Sequence, residues 1–238
     1  MKITIAHLYP DMLNLYGDSG NIAVLKHRLE ARGIDADVKT YAIDDDIDFE
    51  NTDIIFIGGG GEREQLAVAK RLNELSDEMK TYAENGGVIL AVCGGFEVLG
   101  KYYKTYDSTV ECAGVLDIAT EYSDKKIVGN AVIKSDILGT TIVGFENHSG
   151  RVNIGGYTPL GTSLAGFGHD GKGNEGVVYK NVIATYLHGP LLPKNPLLAD
   201  YILTKAVEKR YGTDNLAPLD DALENAAHDY AVGRFVAR

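Results

Sequence analysis

The sequence has little cysteine and no long hydrophobic run, and each lack excludes a class of protein. Its 238 residues include two cysteines, Cys93 and Cys112, which cannot build a disulfide framework. No apolar stretch approaches the roughly 20 residues that a membrane-spanning helix needs. Basic residues are also in deficit, because 23 lysines and arginines face 34 acidic residues and leave a formal net charge of −11. That charge argues against a nucleic acid or an anionic membrane as the main partner.

Signatures of nucleotide binding and of export are missing as well. Four glycines occur at 58–61, but Arg63 stands where the dinucleotide fingerprint G-x-G-x-x-G needs its last glycine. The phosphate-binding pattern G-x-x-x-x-G-K-[ST] occurs nowhere in the chain. The first residues run into a β-favouring segment without a signal peptide, so we expect a cytoplasmic globular protein.

Strand and helix patterns alternate through the first hundred residues. The predicted strands are 3–8, 36–41, 53–57 and 87–90, and the predicted helices are 20–32 and 62–84. This order predicts an α/β fold with a mostly parallel twisted sheet flanked by helices. Ligands bind such sheets beyond the carboxyl ends of the strands, so the loops 9–21, 58–62 and 93–95 should share one edge.

The second half of the chain changes character. Segments 126–133, 140–146 and 176–186 favour strands, and they are separated by glycine-rich loops. Two amphipathic helices are predicted in the tail, at 196–211 and 219–236. We find no repeat and no linker, so the sequence predicts one domain over 1–238, with a helical tail over about 196–238.

The most informative motif surrounds Cys93. The apolar run 87–90 continues into AVCGGF at 91–96, which predicts a buried strand that turns sharply into a helix. That turn would lift the Cys93 side chain above the sheet edge, beside a helix N-terminus whose N–H groups favour an anion. The thiol is therefore a candidate nucleophile. A small core cysteine at a tight turn is the structural alternative.

Two further features would complete a cysteine hydrolase. Glycine N–H groups at 58–61, with that of Gly94, can approach a ligand without a Cβ and form an oxyanion hole. A flexible turn is the alternative interpretation of the glycine run. The strand at 184–187 would deliver His188 to its carboxyl end, within possible reach of Cys93, although a strand-end histidine is more often structural.

Several motifs occur together in the order of a known family. They are VCGGFEVLG at 92–100, GFENHSGR at 144–151, and the segment from GV at 176–177 to TYLHG at 185–189. These motifs resemble the class I-like glutamine amidotransferases of the cobyric acid synthase type, which have a flavodoxin-like α/β fold. NLYGDSGN at 14–21 and LHGPLLPKN at 187–195 are similar to the glutaminase subunits of lipid II isoglutaminyl synthases. The resemblance extends over about 3–211.

The resemblance implies cysteine-dependent hydrolysis of L-glutamine. The Cys93 thiolate would attack the side-chain carboxamide, and His188 would transfer the proton. A thioester would form as ammonia leaves, and water would then release glutamate. By the same resemblance, the N–H groups of Gly94 and Gly60 would hold the oxyanion of the tetrahedral intermediate.

The resemblance also implies substrate-binding residues. Lys126 matches the position of a basic residue that meets the glutamine carboxylate, although family members often have arginine there. Asn147 and His148 are expected in the pocket, with hydrogen-bonded loop anchors as the alternative. One departure concerns the triad, because the family's glutamate two residues after the histidine is Pro190 here. His188 then works in a Cys–His dyad, or another carboxylate or a backbone carbonyl orients it.

The missing phosphate loop predicts a separate partner. Corrin-amidating members of the family carry an ATP-binding domain on the same chain, whereas this chain has neither the length nor the motif for one. The resemblance implies a heterodimer with a Mur-ligase-like, ATP-using subunit (MurT) that amidates D-glutamate of lipid II to isoglutamine. ATP and Mg²⁺ are then expected on the partner, and no cofactor or metal on this chain.

Two other functions share parts of this pattern. A cysteine hydrolase or peptidase of related fold would use the same corner without a synthase partner. A non-catalytic regulatory subunit would keep the fold and tolerate loss of the thiol.

Overall fold

The computed structural model of the protein describes residues 1–236, which contain six α-helices and fourteen strands. The helices are α1 (Ser19–Glu30), α2 (Glu62–Glu74), α3 (Ser76–Glu84), α4 (Gly94–Val98), α5 (Pro196–Tyr211) and α6 (Ala222–Val236), and a short 3-10 helix covers Leu192–Lys194. The strands are β1 (Lys2–Leu8), β2 (Asp35–Tyr41), β3 (Ile54–Ile57), β4 (Val88–Val92), β5 (Tyr102–Lys104), β6 (Thr109–Glu111), β7 (Ala119–Glu121), β8 (Ile127–Ser135), β9 (Thr140–His148), β10 (Arg151–Asn153), β11 (Gly161–Ala165), β12 (Asn174–Glu175), β13 (Val177–Tyr179) and β14 (Val182–Thr185).

Six strands form the central sheet in the order β13-β14-β4-β3-β1-β2. Every neighbouring pair except β13 and β14 is parallel. Strands β3 and β4 are buried along their whole length, as expected of parallel strands with both faces covered. In β3, Ile54 and Phe56 join one hydrophobic cluster with α5, and Ile55 and Ile57 join another with α2 and α3. The predicted mostly parallel α/β sheet is confirmed.

The loops that follow β1, β3 and β4 meet at the carboxyl edge of this sheet, as predicted. The backbone N–H of Leu15 donates to the Gly59 carbonyl at 3.0 Å. The N–H of Gly59 in turn donates to the Asp18 carboxylate at 2.9 Å. At the corner after β4, the N–H of Cys93 donates to the Thr185 carbonyl at 2.8 Å, which aligns the end of β14 with it.

Two predicted elements are each divided in the structure. The predicted helix 62–84 is two helices, because Leu75 leaves the α-helical region at φ −97°, ψ 17° and the Ser76 hydroxyl donates to the Ala113 carbonyl at 2.7 Å. The predicted strand 176–186 is the hairpin of β13 and β14. It turns where Lys180 takes a positive φ of 50°, which interrupts the extended backbone.

Two smaller sheets, in the orders β10-β7-β5-β6 and β12-β11-β8-β9, account for the remaining strands. The second of them reaches the carboxyl edge of the central sheet through the end of β9. There Phe145 and His188 exchange two backbone hydrogen bonds, of 3.2 and 3.0 Å. This contact fixes the backbone of His188 beside β9.

The two tail helices pack on different parts of the molecule. Helix α5 has the predicted bounds. Gly212 follows its last residue, and the φ of 69° at this glycine is typical of the position after a helix C-terminus. Helix α6 begins three residues later than predicted, because the Asp220 carboxylate accepts the N–H of Ala222 at 3.1 Å. Within residues 1–236, no helix has the length and apolarity needed to cross a bilayer.

Candidate active site

Cys93 lies at a strained corner between β4 and α4. Its backbone has φ 55° and ψ −118°, a conformation that costs a non-glycine residue of order 1–3 kcal/mol. Glycines allow the chain to turn there, because a Cβ added to Gly95 would lie 2.5 Å from the Ile57 carbonyl oxygen. The structure therefore contains the predicted strand, corner and helix.

The tetraglycine loop after β3 packs directly on this corner. A Cβ added to Gly59 would lie 2.7 Å from the Cys93 Cβ and 3.2 Å from its Sγ. At Gly60, an added Cβ would lie 2.7 Å from both the Leu13 side chain and the Met12 carbonyl oxygen. Close approach, rather than flexibility, explains why this loop is built of glycine.

A cavity of about 410 Å³ opens at this edge of the sheet. Its wall contains five residues that the sequence singled out by chemistry or resemblance, which are Cys93, Gly94, Gly60, Asn147 and His148, whereas His188 is not among the lining residues. The remaining lining residues are Tyr16, Glu62, Gln65, Glu97, Tyr103, Lys104, Thr105, Tyr106, Tyr122, Ser149, Gly150 and Tyr186. Lys126 is exposed just before β8 and is not among the residues that line the cavity.

His188 lies just beyond the end of β14 and is only 2% exposed. The Tyr16 ring stacks on its imidazole with centroids 4.0 Å apart and an interplanar angle of 23°. The Phe145 ring meets it edge-on at 5.7 Å. Within residues 1–236, neither imidazole nitrogen has a hydrogen-bond partner. Burial lowers the pKa of His188 to about 4, with a smaller contribution from His148.

The electrostatic surroundings of Cys93 oppose ionisation. Burial raises the pKa of the Cys93 thiol well above its usual value. The Glu97, Asp18 and Glu175 carboxylates raise it further, and the backbone N–H of Gly94 opposes them. The Gly94 N–H at the start of α4 favours the thiolate, as the sequence predicts, but burial and then the three carboxylates shift the pKa further in the opposite direction. Burial thus favours the neutral form of both the thiol and the imidazole.

Glu97 organises the cavity wall and was missed by the sequence analysis. Its carboxylate accepts hydrogen bonds from the Gln65 amide and from the Tyr186 hydroxyl, the latter at 2.5 Å. The Tyr186 ring stacks on His148 with centroids 3.7 Å apart, and His148 Nδ1 donates to the Gly150 carbonyl at 2.9 Å. The sequence offered a signal, because Glu97 lies within the first turn of the helix that Cys93 immediately precedes.

A second buried carboxylate, Glu175, holds the end of β14. One oxygen accepts the Thr185 hydroxyl at 2.6 Å and the Tyr186 N–H at 2.7 Å. Burial raises the pKa of Glu175 to about 7, against these two hydrogen bonds. In the part of the chain that the structure describes, no carboxylate hydrogen-bonds to His188, so a third triad member is not found there.

Two cations lie close to the cavity. Lys104 lines the wall, and its Nζ is paired with Glu121 at 2.8 Å. The Arg151 guanidinium donates to the carbonyl of Gly150, a wall residue, at 2.9 Å and to the Lys125 carbonyl at 2.6 Å. The sequence analysis assigned neither of them to substrate binding.

Comparison with known proteins adds sequence relatives to this geometry. The chain is 44% identical over 211 residues to the subunit GatD of the glutamine-hydrolysing lipid II isoglutaminyl synthase of Staphylococcus aureus, covering 88% of this chain and 86% of that protein. It is 38% identical over 236 residues to the subunit of the same name from Streptococcus pneumoniae, covering 97% and 91%. A probable cobyric acid synthase of Methanococcus maripaludis is more distant, at 30% identity over 59% of this chain and 30% of that protein.

Solved structures support the fold. A glutamine amidotransferase structure aligns with a TM-score of 0.55 at 20% identity, over 84% of this chain and 98% of that one. A glutamine amidotransferase from Thermotoga maritima aligns with a TM-score of 0.57 at 12% identity, over 97% and 94%. The family of CobB/CobQ-like glutamine amidotransferase domains matches residues 4–196. The chain therefore belongs to the CobB/CobQ-like glutamine amidotransferases.

Proposed function

We propose that this chain is the glutaminase subunit of a lipid II isoglutaminyl synthase. The observation that carries the proposal is the meeting of two strand ends, because β4 leads into the strained Cys93 corner and the neighbouring β14 leads to His188. Membership of an amidotransferase family and the two GatD relatives indicate that the amide attacked at this corner is that of L-glutamine.

The reaction begins from a neutral pair of groups. A neutral imidazole, with a pKa of about 4, is available as a general base throughout the physiological range. His188 accepts the Sγ proton as the Cys93 sulfur forms a bond to the carboxamide carbon. The imidazolium then protonates the leaving nitrogen, ammonia departs and a thioester remains. Water, deprotonated by the same imidazole, hydrolyses the thioester to glutamate and restores the thiol.

Backbone N–H groups stabilise the oxyanion in this scheme. The Gly94 N–H already favours negative charge at the Cys93 sulfur, and Gly60 lines the same cavity. Loss of one such donor typically costs about 10²–10³ in rate. The Gly59 approach to Cys93 keeps the Gly60 loop close to the reacting atom.

Substrate binding is assigned to the cavity wall and to one exposed lysine. We assign Asn147 and His148, both in the wall, to glutamine, and Lys126, which is exposed just before β8 and outside the cavity lining, to its α-carboxylate. His148 is held by the Gly150 carbonyl and by the Tyr186 ring, which supports a fixed pocket residue.

Ammonia would be used by a second polypeptide. The partner in this proposal is a Mur-ligase-like, ATP-using subunit (MurT) that binds ATP and Mg²⁺ and amidates D-glutamate of lipid II to isoglutamine. This chain is then a single domain in the cytoplasm, with α5 and α6 as its tail. The supporting observation is the relatives' shared description as a subunit of a glutamine-hydrolysing synthase.

The decisive test is glutamate release by Cys93→Ala, measured with L-glutamine alone and with the partner, ATP and lipid II. We expect a loss of at least about 10³-fold, because the nucleophile is gone. Cys112→Ala is the matched control, since that thiol is buried and is not among the residues that line the cavity. Mass spectrometry after treatment with diazo-oxo-norleucine, a glutamine-mimicking electrophile, should place the adduct on Cys93. Unchanged activity in Cys93→Ala would remove the proposed mechanism and favour a non-catalytic subunit.

A further inference from the structure

The imidazole of His188 is held by its faces rather than by its nitrogens. The Tyr16 ring lies nearly parallel to it at 4.0 Å, and the Phe145 ring meets it edge-on. In the described residues 1–236, neither ring nitrogen has a hydrogen-bond partner, so no polar group sets the orientation of the ring. Stacking fixes the plane of the imidazole and leaves both nitrogens free to accept or release a proton.

Tyr16 itself is fixed to both sides of the candidate site. On the Cys93 side, the residues flanking it are bound to Gly59, through the Leu15 N–H at 3.0 Å and the Asp18 carboxylate at 2.9 Å. Gly59 is the residue that packs against the Cys93 side chain. The loop that carries Tyr16 is thus tied to the same corner as the thiol.

On the other side, the Tyr16 hydroxyl accepts a hydrogen bond from Asn147 Nδ2 at 2.8 Å. Asn147 lies on β9, the strand whose Phe145 is bridged to the backbone of His188. Tyr16 also lines the cavity together with Cys93, and the Cys93 charge contributes to a raised pKa of the Tyr16 hydroxyl. One ring therefore contacts the imidazole and lies near the thiol.

We propose that Tyr16 is a positioning residue for His188. Its stacked ring fixes the orientation of the imidazole, a role that the glutamate of the family's triad has in related enzymes. The proposal rests on the proposed glutaminase function. The Tyr16 ring acts through His188 and takes no part in bond making. The hydroxyl serves to hold the ring through Asn147, so the aromatic face matters more than the oxygen.

The test compares Tyr16→Leu with Tyr16→Phe in the full-length chain, using kcat and KM for glutamine as a function of pH. Tyr16→Leu should lower kcat by about 10- to 100-fold with a smaller change in KM, because a general base displaced by about 1 Å loses that much rate. Tyr16→Phe keeps the stacked face and should stay within about threefold of the parent. Tyr230→Leu removes an exposed tyrosine of α6 and is the matched control.

The pH profile separates positioning from a loss of structure. The Tyr16 ring stacks on the imidazole and His148 contributes to lowering its pKa, whereas Glu97, Asp18 and Glu175 act on the thiol. Removing the covering ring exposes the imidazole to water, so its pKa should rise from about 4 toward its usual value near 6.5. The acidic limb of kcat/KM should move upward in Tyr16→Leu and stay in place in Tyr16→Phe.

Several results would overturn the proposal. They are equal kcat and equal acidic limbs in Tyr16→Leu and Tyr230→Leu, equal losses in Tyr16→Phe and Tyr16→Leu, or a gain in activity when the ring is removed. Circular dichroism checks folding, and Tyr16→Met repeats the comparison if the leucine variant does not fold. A parent chain that releases no glutamate even with the partner, ATP and lipid II would instead refute the glutaminase function, which keeps the two failures apart.

Discussion

Cys93 and His188 follow neighbouring strands, but the chain holds them by different means. The thiol is enclosed by backbone, since Gly59 and Gly95 bring two loops to distances that no Cβ would allow. The imidazole is enclosed by aromatic side chains from two distant segments, Tyr16 and Phe145. Enclosure by backbone can be predicted from the sequence, because it requires glycine. Stacking cannot, because an aromatic residue that stacks on the imidazole is not distinguished in the sequence from any other aromatic residue.

Gly59→Ala tests the backbone enclosure of the thiol and should have the largest effect on activity. The added Cβ would lie 2.7 Å from the Cys93 Cβ, so the loop or the corner must move. A displacement of about 1 Å at the nucleophile should lower kcat/KM for glutamine by about 10²-fold. Gly129→Ala is the control, because a Cβ there has no heavy atom within 4 Å. Equal activities of the two variants in a glutamate-release assay would show that the thiol is not held by close backbone contact.

Glu175→Gln should have an intermediate effect, on stability, and it tests how the end of β14, which leads to His188, is held. The folded-state pKa of Glu175 is raised to about 7 from a usual 4.5, so the carboxyl favours the fold below about pH 4.5 and loses that contribution as pH rises through 7. The amide keeps the oxygen that accepts from Thr185 and Tyr186 without taking on charge.

The measurement is the free energy of unfolding of Glu175→Gln relative to the parent at pH 5.5 and 8.5. The variant should gain roughly 1–3 kcal/mol relative to the parent between these two values. Glu78→Gln, at an exposed position of α3, should show no such trend. A relative stability that does not change with pH would mean that the buried carboxyl is not protonated in the fold.

The smallest effect on activity should come from Lys126→Ala, at an exposed position just before β8. A single exposed charge contributes about 0.2–1 kcal/mol, so KM for glutamine should rise about two- to fivefold with kcat unchanged. Lys134→Ala removes an exposed lysine of β8, the strand that Lys126 precedes, and should leave KM unchanged. A larger rise in KM for Lys104→Ala than for Lys126→Ala would move the carboxylate site to the cavity wall.

Much of the central sheet could be predicted, because its strands are buried on both faces and appear as continuous apolar runs. The Cys93 corner could be predicted for a related reason, since small residues after such a run indicate a sharp turn. The break at Leu75 could not, because it depends on Ser76 reaching Ala113, a partner 37 positions away along the chain.

The surroundings of the site were harder to predict. The position of Glu97 close after Cys93 could be read from the sequence. Its hydrogen-bond partners Gln65 and Tyr186 could not, because they come from α2 and from the segment after β14. Tyr16 lies in a motif that the resemblance had noted, yet nothing in that motif indicates a ring stacked on a residue 172 positions later. Pairings of this kind are set by topology and not by local composition.

The buried Arg28 guanidinium ties the beginning of the chain to its end. It is 3% exposed in α1, the helix that follows the Tyr16 loop, and it pairs with Asp200 at 2.7 Å and Asp221 at 2.6 Å. A buried charge without its partners is strongly destabilising. Shortening the chain before residue 200 would remove both partners, so the helix beside the Tyr16 loop depends for its stability on residues at the far end of the sequence.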